Sequence, residues 1–196
     1  MNRQRATLFA VLLAAMFAAT GDARATTVKH FDLDRMTASA ARVFRGTVTD
    51  IRPGTVRIGG ADLATTTYRL RVVESFKGTF PTVKGIAYAE ITMIGSHKAE
   101  ADRGNLRHYS LFRDVPRLER GRDYLLFLTA ESKVALSSPV GLAQGCFDID
   151  TASPTQATQN RAGNAGLAAG IKGPVPYDDL ARRVRSIVAS QNGRTR

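Results

Sequence analysis

The sequence predicts a mainly β domain with a short helix before it and an amphipathic helix after it, and three observations carry that expectation. Short segments alternate apolar and polar residues with the two-residue period of strands. Clusters of Gly and Pro punctuate them. The period of helices surfaces only near the two ends of the chain.

A leader comes first. Basic Met1-Asn2-Arg3-Gln4-Arg5 precedes an uncharged apolar run from Ala6 to Thr20, and Ala23-Arg24-Ala25 is a small-x-small cleavage site, the layout of a secretory signal peptide over residues 1–25. The apolar run falls short of the roughly 18 residues that span a bilayer, and no later stretch is apolar enough to serve as a transmembrane segment of the mature chain. No Cys lies beside the cleavage site to take a lipid, so a periplasmic or secreted protein starting near Thr26 is expected. Cleavage near Ala25 removes three Arg and one Asp and takes the formal charge from +11 to +9.

The first helix is expected from Asp32 to Val43, where Leu33, Met36, Ala40 and Val43 share a face and Asp32 and Asp34 favour the N-terminal end of the dipole. A first strand, Val43 to Ile51, is broken by Arg52-Pro53-Gly54. After Gly59-Gly60, Leu63 to Glu74 forms a second strand in which Tyr68, Leu70 and Val72 alternate with Arg69, Arg71 and Val73, so one face is buried and the other wet. Ile86 to Ile94 is the third. From Gly95 to Gly121 the period is lost, in a stretch longer than an ordinary connection. Asp123 to Thr129 is apolar on both faces and reads as a central strand, and Val134 to Leu142 as a fifth, with Pro139 marking an edge or bulge. Gly145 to Ile149 adds a last short strand.

These segments make one barrel domain over residues 26–150. Residues 151–173, rich in Ala, Thr, Gln, Asn and Gly, are expected to be a flexible linker. Residues 174–196 hold the last helix and a tail, with Leu180, Val184, Ile187 and Val188 on one docking stripe and Arg182, Arg183 and Arg185 away from it.

Lys and Arg number 28 against 17 Asp and Glu, a balance that favours encounter with polyanions and also keeps a small protein soluble. Cys146 stands alone, which excludes an internal disulfide and leaves stability to packing. No Gly-x-Ser-x-Gly elbow, phosphate-binding glycine loop, dinucleotide fingerprint or His-Glu-x-x-His helix occurs. His30, His97 and His108 lack metal-ligand spacing, and Asp148-Ile149-Asp150 begins a calcium loop without its Gly and Glu. Glu74 and Glu90 fall in strands, where pairing with Arg is the plain reading. The sequence therefore assigns no catalytic residue, metal or cofactor, and it does not point to an enzyme. The long loop offers Tyr109 and Phe112 beside Arg107, His108 and Arg113, a mixture that stacks bases and meets phosphates, or that tucks back into the core through Leu111, Phe112 and Val115.

Four stretches carry a resemblance: Val43-Phe44-Arg45-Gly46-Thr47-Val48, Arg71-Val72-Val73-Glu74-Ser75-Phe76-Lys77-Gly78, Gly121-Arg122-Asp123-Tyr124-Leu125-Leu126-Phe127-Leu128 and Val140-Gly141-Leu142-Ala143-Gln144-Gly145-Cys146-Phe147. As a set they resemble a family of uncharacterised exported bacterial proteins, similar in shape to tissue-inhibitor-of-metalloprotease and netrin-like modules. The likeness runs from about Asp32 to Ile149 and implies a five-stranded antiparallel OB-like barrel. The chain departs from the family where Ile94-Gly95-Ser96-His97-Lys98 replaces a glycine-rich segment, and where Cys146 stands in place of a common Lys. The inhibitor modules engage zinc through an N-terminal Cys, and a start near Thr26 has none.

The expected function is a non-enzymatic exported protein-interaction module of the cell envelope or secreted space. An alternative is a polyanion or single-stranded nucleic-acid binder using the basic loop 95–117, with His97, Lys98, Arg103, Arg107, His108, Tyr109 and Arg113 joined by Arg69 and Arg71 of the second strand. A further alternative, an inhibitor-like partner of a secreted metalloprotease, rests on shape.

Overall fold

A computed structural model describes residues 31–97, 115–162 and 173–194. The leader and the loop residues Lys98, Arg103, Arg107, His108, Tyr109 and Arg113 lie outside the described residues.

The fold is built on one long hairpin. Strands β1 (Arg42–Ile58) and β2 (Ala61–Lys77) each run 17 residues and meet through Gly59-Gly60, whose φ values of 58° and 84° suit a two-residue hairpin turn that non-glycine residues resist. Strands β3 (Thr82–Val83) and β4 (Ile86–Ile94) extend the sheet beyond β2, while β5 (Asp123–Leu128), β6 (Cys146–Ile149) and β7 (Thr158–Asn160) extend it beyond β1. The spatial order is β3-β4-β2-β1-β5-β6-β7, and every described pairing is antiparallel.

Each face of the sheet carries its own core. Alternation in β5 sends Tyr124, Leu126 and Leu128 to one side, with Phe44, Val48, Tyr68, Leu70, Ile91 and Met93, and sends Leu125 and Phe127 to the other. That second side is roofed by helix α1 (Leu33–Ser39) and helix α2 (Tyr177–Arg194) through Leu33, Met36, Leu180, Ala181 and Val184. Helix α1 starts where the Asp32 carboxylate accepts the Arg35 N–H at 2.7 Å. As the sequence predicts, β5 has no wet face: all six of its residues are buried.

Three register shifts steer the hairpin, and the first passes over Phe76 between Val43 and Phe44. Arg45 lies opposite Glu74 and Gly46 opposite Val72, so Val73 is passed over, and the bulge re-aims the strand. Val72 packs with the interior cluster, whereas Phe76 turns to the helix side. The third shift skips Thr49 between Val48 and Asp50.

Four expectations need correction. The sheet has seven strands and its order does not close, so the pairing is not that of a five-stranded barrel. The main reason is that Val134 to Leu142 is not a strand. Ala135 takes φ 56° in a turn, and the segment contributes a bridge from Pro139 to Leu128, hydrogen bonds from Ser137 and Ser138 to Thr129, and one from the Ser137 N–H to the Thr92 carbonyl of β4. Next, β1 does not stop at Arg52-Pro53-Gly54. Pairing with β5 ends at Thr47, so Pro53 sits where β1 is an edge and its missing N–H costs no ladder bond. Last, the linker expected over 151–173 contains β7: Thr158 pairs with Ile149 and bridges Val175, and Thr158 and Asn160 are buried.

Candidate functional site

Polar side chains on the outer face of β1, β2 and β4 line up in cross-strand rows. The register places Asp50, Arg69 and Glu90 in one row, Thr47, Arg71 and Tyr88 in the next, and Arg52, Thr67 and Thr92 in a third. The sequence dictates this directly, since Ala89, Ile91 and Met93 alternate with Tyr88, Glu90 and Thr92 and only the former are buried.

The two carboxylates here are spoken for. Asp50 takes Arg120 at 2.7 Å and Arg52 at 3.6 Å, and Glu90 takes Arg52 at 2.8 Å. Thr67 and Thr92 share a hydrogen bond of 2.9 Å across β2 and β4. Arg69 lies with its guanidinium carbon 4.4 Å from the centroid of the Tyr88 ring, a stacked cation. Arg71 is exposed and makes no ion pair among the described residues. Four guanidinium groups against two carboxylates give this face a surplus of positive charge, with donors free to meet a carboxylate or phosphate in two-pronged fashion.

His97 does not join them. It follows β4 and turns to the opposite side of the sheet, where its Nδ1 lies 3.4 Å from the Tyr68 hydroxyl and the two rings meet edge to face at 6.0 Å. Arg69 and Arg71 flank Tyr68 and Leu70 in sequence and so point the other way. Among the described members of the sequence-based set, the arginines share a face and the histidine belongs to the interior. Burial raises the Tyr68 phenol above its ordinary range.

Two further charged clusters are fastenings of the fold. At the interior end, Arg161 grips Asp148 through two nitrogens at 2.7 and 2.8 Å, donates to the Arg117 carbonyl, and lies 5.3 Å from the Tyr124 ring centroid. It ties the segment after β7 to the segment before β5. Beside it, burial pushes the fully enclosed Cys146 thiol up to about 12, which leaves it a thiol at neutral pH rather than a nucleophile. On the helix side, Arg45 donates twice to Asp123, at 2.7 and 3.0 Å, and once to Gln156, under the Tyr177 ring. The Tyr177 hydroxyl donates to Glu74 at 2.7 Å and Arg185 holds the other carboxylate oxygen, so Glu74 is engaged by α2. Glu74 and Glu90 thus serve separate ion pairs, as their placement in an arginine-rich chain suggests.

Among the described residues no three His, Cys, Asp or Glu side chains converge as metal ligands, and no helix is long and apolar enough to cross a membrane. The sequence reading missed Tyr88, Arg52 and Arg120. The alternation of β4 marks Tyr88 as outward-facing, but only the register shows that it meets Arg69. No family model matches the chain, and none of the curated proteins compared with it matches either.

Proposed function

We propose that the protein is an exported, non-enzymatic module that binds a protein partner on the outer face of β1, β2 and β4. The observation that carries this reading is the surplus of arginine on a sheet face that the two helices leave uncovered. A solvated face is ordinary for an antiparallel sheet; what supports the reading is that a stacked Arg69 and a solvent-facing Arg71 make no ion pair among the described residues and are open to a ligand. The leader supplies the route out of the cytoplasm, and the absence of catalytic motifs in the sequence fits a binding role.

A photo-crosslinking side chain in place of Tyr88, introduced in the cells that make the protein, tests it. The expected result is a discrete adduct that is absent when the same group replaces Ser186 on the outer side of α2. Equal adducts at both positions, or none at Tyr88, would overturn the proposal.

The stacked Arg69 supports a second reading, a polyanion binder. It predicts that a single-stranded oligonucleotide binds with affinity falling steeply in salt, and that Arg71→Glu weakens it. Salt-insensitive binding would remove that reading.

A further inference from the structure

Beyond Arg71 and Tyr88 the outer face changes character. The β2–β4 pairing ends at Arg71 and Tyr88; two residues further along each strand, on the same face by alternation, come Val73 of β2 and Ile86 of β4, and Val83 pairs directly with Ile86 in the β3–β4 hairpin. The bulge explains Val73: skipped by the β1 pairing, it stays on the outside while the next residue, Glu74, is drawn to the helix side. These three side chains are 48, 50 and 42% exposed for Val73, Val83 and Ile86 respectively. The two other large exposed hydrophobics among the described residues, Ile58 and Val134, sit elsewhere, at the tip of β1 and in the turn after β5.

Three aliphatic side chains gathered at one corner need a reason, because scattered exposed apolar residues are ordinary and clustered ones mark a contact. A two-residue edge strand gains nothing from Val83 if water is all it meets. Their rim is cationic. Arg71 precedes Val73 on the same face, and Lys84 stands in the turn between Val83 and Ile86 at φ 50°. Neither Arg71 nor Lys84 makes an ion pair among the described residues.

An apolar centre flanked by two unneutralised cations fits one kind of ligand better than others. A nucleic acid satisfies the cations but leaves the aliphatic centre uncovered. A membrane surface calls for a larger apolar face with aromatic side chains. A peptide with a large apolar side chain flanked by Asp or Glu satisfies both, the apolar group on Val73, Val83 and Ile86 and the carboxylates on Arg71 and Lys84. We infer that this corner is the docking site for an acidic segment of the partner carrying an aliphatic or aromatic anchor. The inference rests on the protein-partner reading above and specifies where and what it binds.

Selection of a random twelve-residue peptide display library on the purified protein is the test. The expected outcome is a set of peptides with acidic residues around a large apolar one. A synthetic member should lose at least tenfold in affinity with Val83→Asp and with Arg71→Glu, and remain unchanged with Arg183→Glu on the exposed side of α2. Val83 sits on an exposed two-residue edge, so its substitution leaves the core intact, and Lys84→Glu gives an independent check on the rim. Selected peptides that lack acidic residues, or that ignore all three corner substitutions, would overturn the inference and leave the binding-module reading standing. No selected peptide at all, with a single-stranded oligonucleotide bound instead, would overturn both.

Discussion

Arg45 is a cation with little water around it: its side chain and that of its partner Asp123 are each 10% exposed. Removing one member of such a pair strands the other, which costs about 3 kcal/mol or more, while replacing both by apolar groups costs less. Asp123→Ala should therefore lower the urea midpoint sharply, and Arg45→Met with Asp123→Leu should recover part of the loss. Gly145 is constrained by space: a Cβ there would meet the Val140 nitrogen at 2.6 Å, the Val140 oxygen at 2.7 Å and the Phe127 oxygen at 2.9 Å, all of them backbone. Gly145→Ala should destabilise by about 1–3 kcal/mol, read by thermal denaturation. Cys146, moved from an ordinary 9.0 to about 12, and Tyr68, Tyr124 and Tyr177, all raised above 10.0, hold protons in the folded state that the unfolded chain releases. Their contribution is complete below about pH 9 and is lost as pH rises toward about 12. Urea midpoints should accordingly fall as pH rises from about 9 toward about 12, and less steeply in Cys146→Ala.

Helix α2 was the most legible element. Its stripe of Leu180, Val184, Ile187 and Val188 docks on the sheet, with Leu180 and Val184 buried and the other two partly so. Leu180→Ala should cost about 3 kcal/mol by leaving a cavity, and Tyr177→Phe about 1 kcal/mol by deleting the hydrogen bond to Glu74; equilibrium unfolding of the two variants measures both. Strands with clean alternation, such as β4 and the middle of β2, were equally plain, because a period of two assigns each side chain a face. Illegible were the features that depend on neighbours far along the chain. Pro53 reads as a breaker until β5 is seen to stop short of it, and Val134 to Leu142 reads as a strand until Ala135 turns. The site divides the same way. Arg69 and Arg71 are outward by alternation alone, but His97 follows Gly95 at φ 106°, where alternation no longer says which side a residue takes. Tyr88 as the stacking partner of Arg69 depends on a register that no local pattern encodes.

At the scale of the molecule, the expected leader predicts a shortened chain. Mass spectrometry of the protein recovered from outside the cytoplasm should show a chain starting near Thr26 with formal charge +9; an intact N-terminus would contradict the leader. The sheet itself is organised around β5, which lies against the helix-side core with one set of side chains and the interior core with the other. That arrangement has a consequence before folding is finished. Tyr124-Leu125-Leu126-Phe127-Leu128 is an uncharged, proline-free run of high β propensity, and a chain that has not yet folded displays it to every identical chain nearby. The strand that knits the finished protein together is thus a segment in need of a chaperone before folding is done, and a Lys placed at Leu126 would quell clumping of the nascent polymer only by forfeiting the native state.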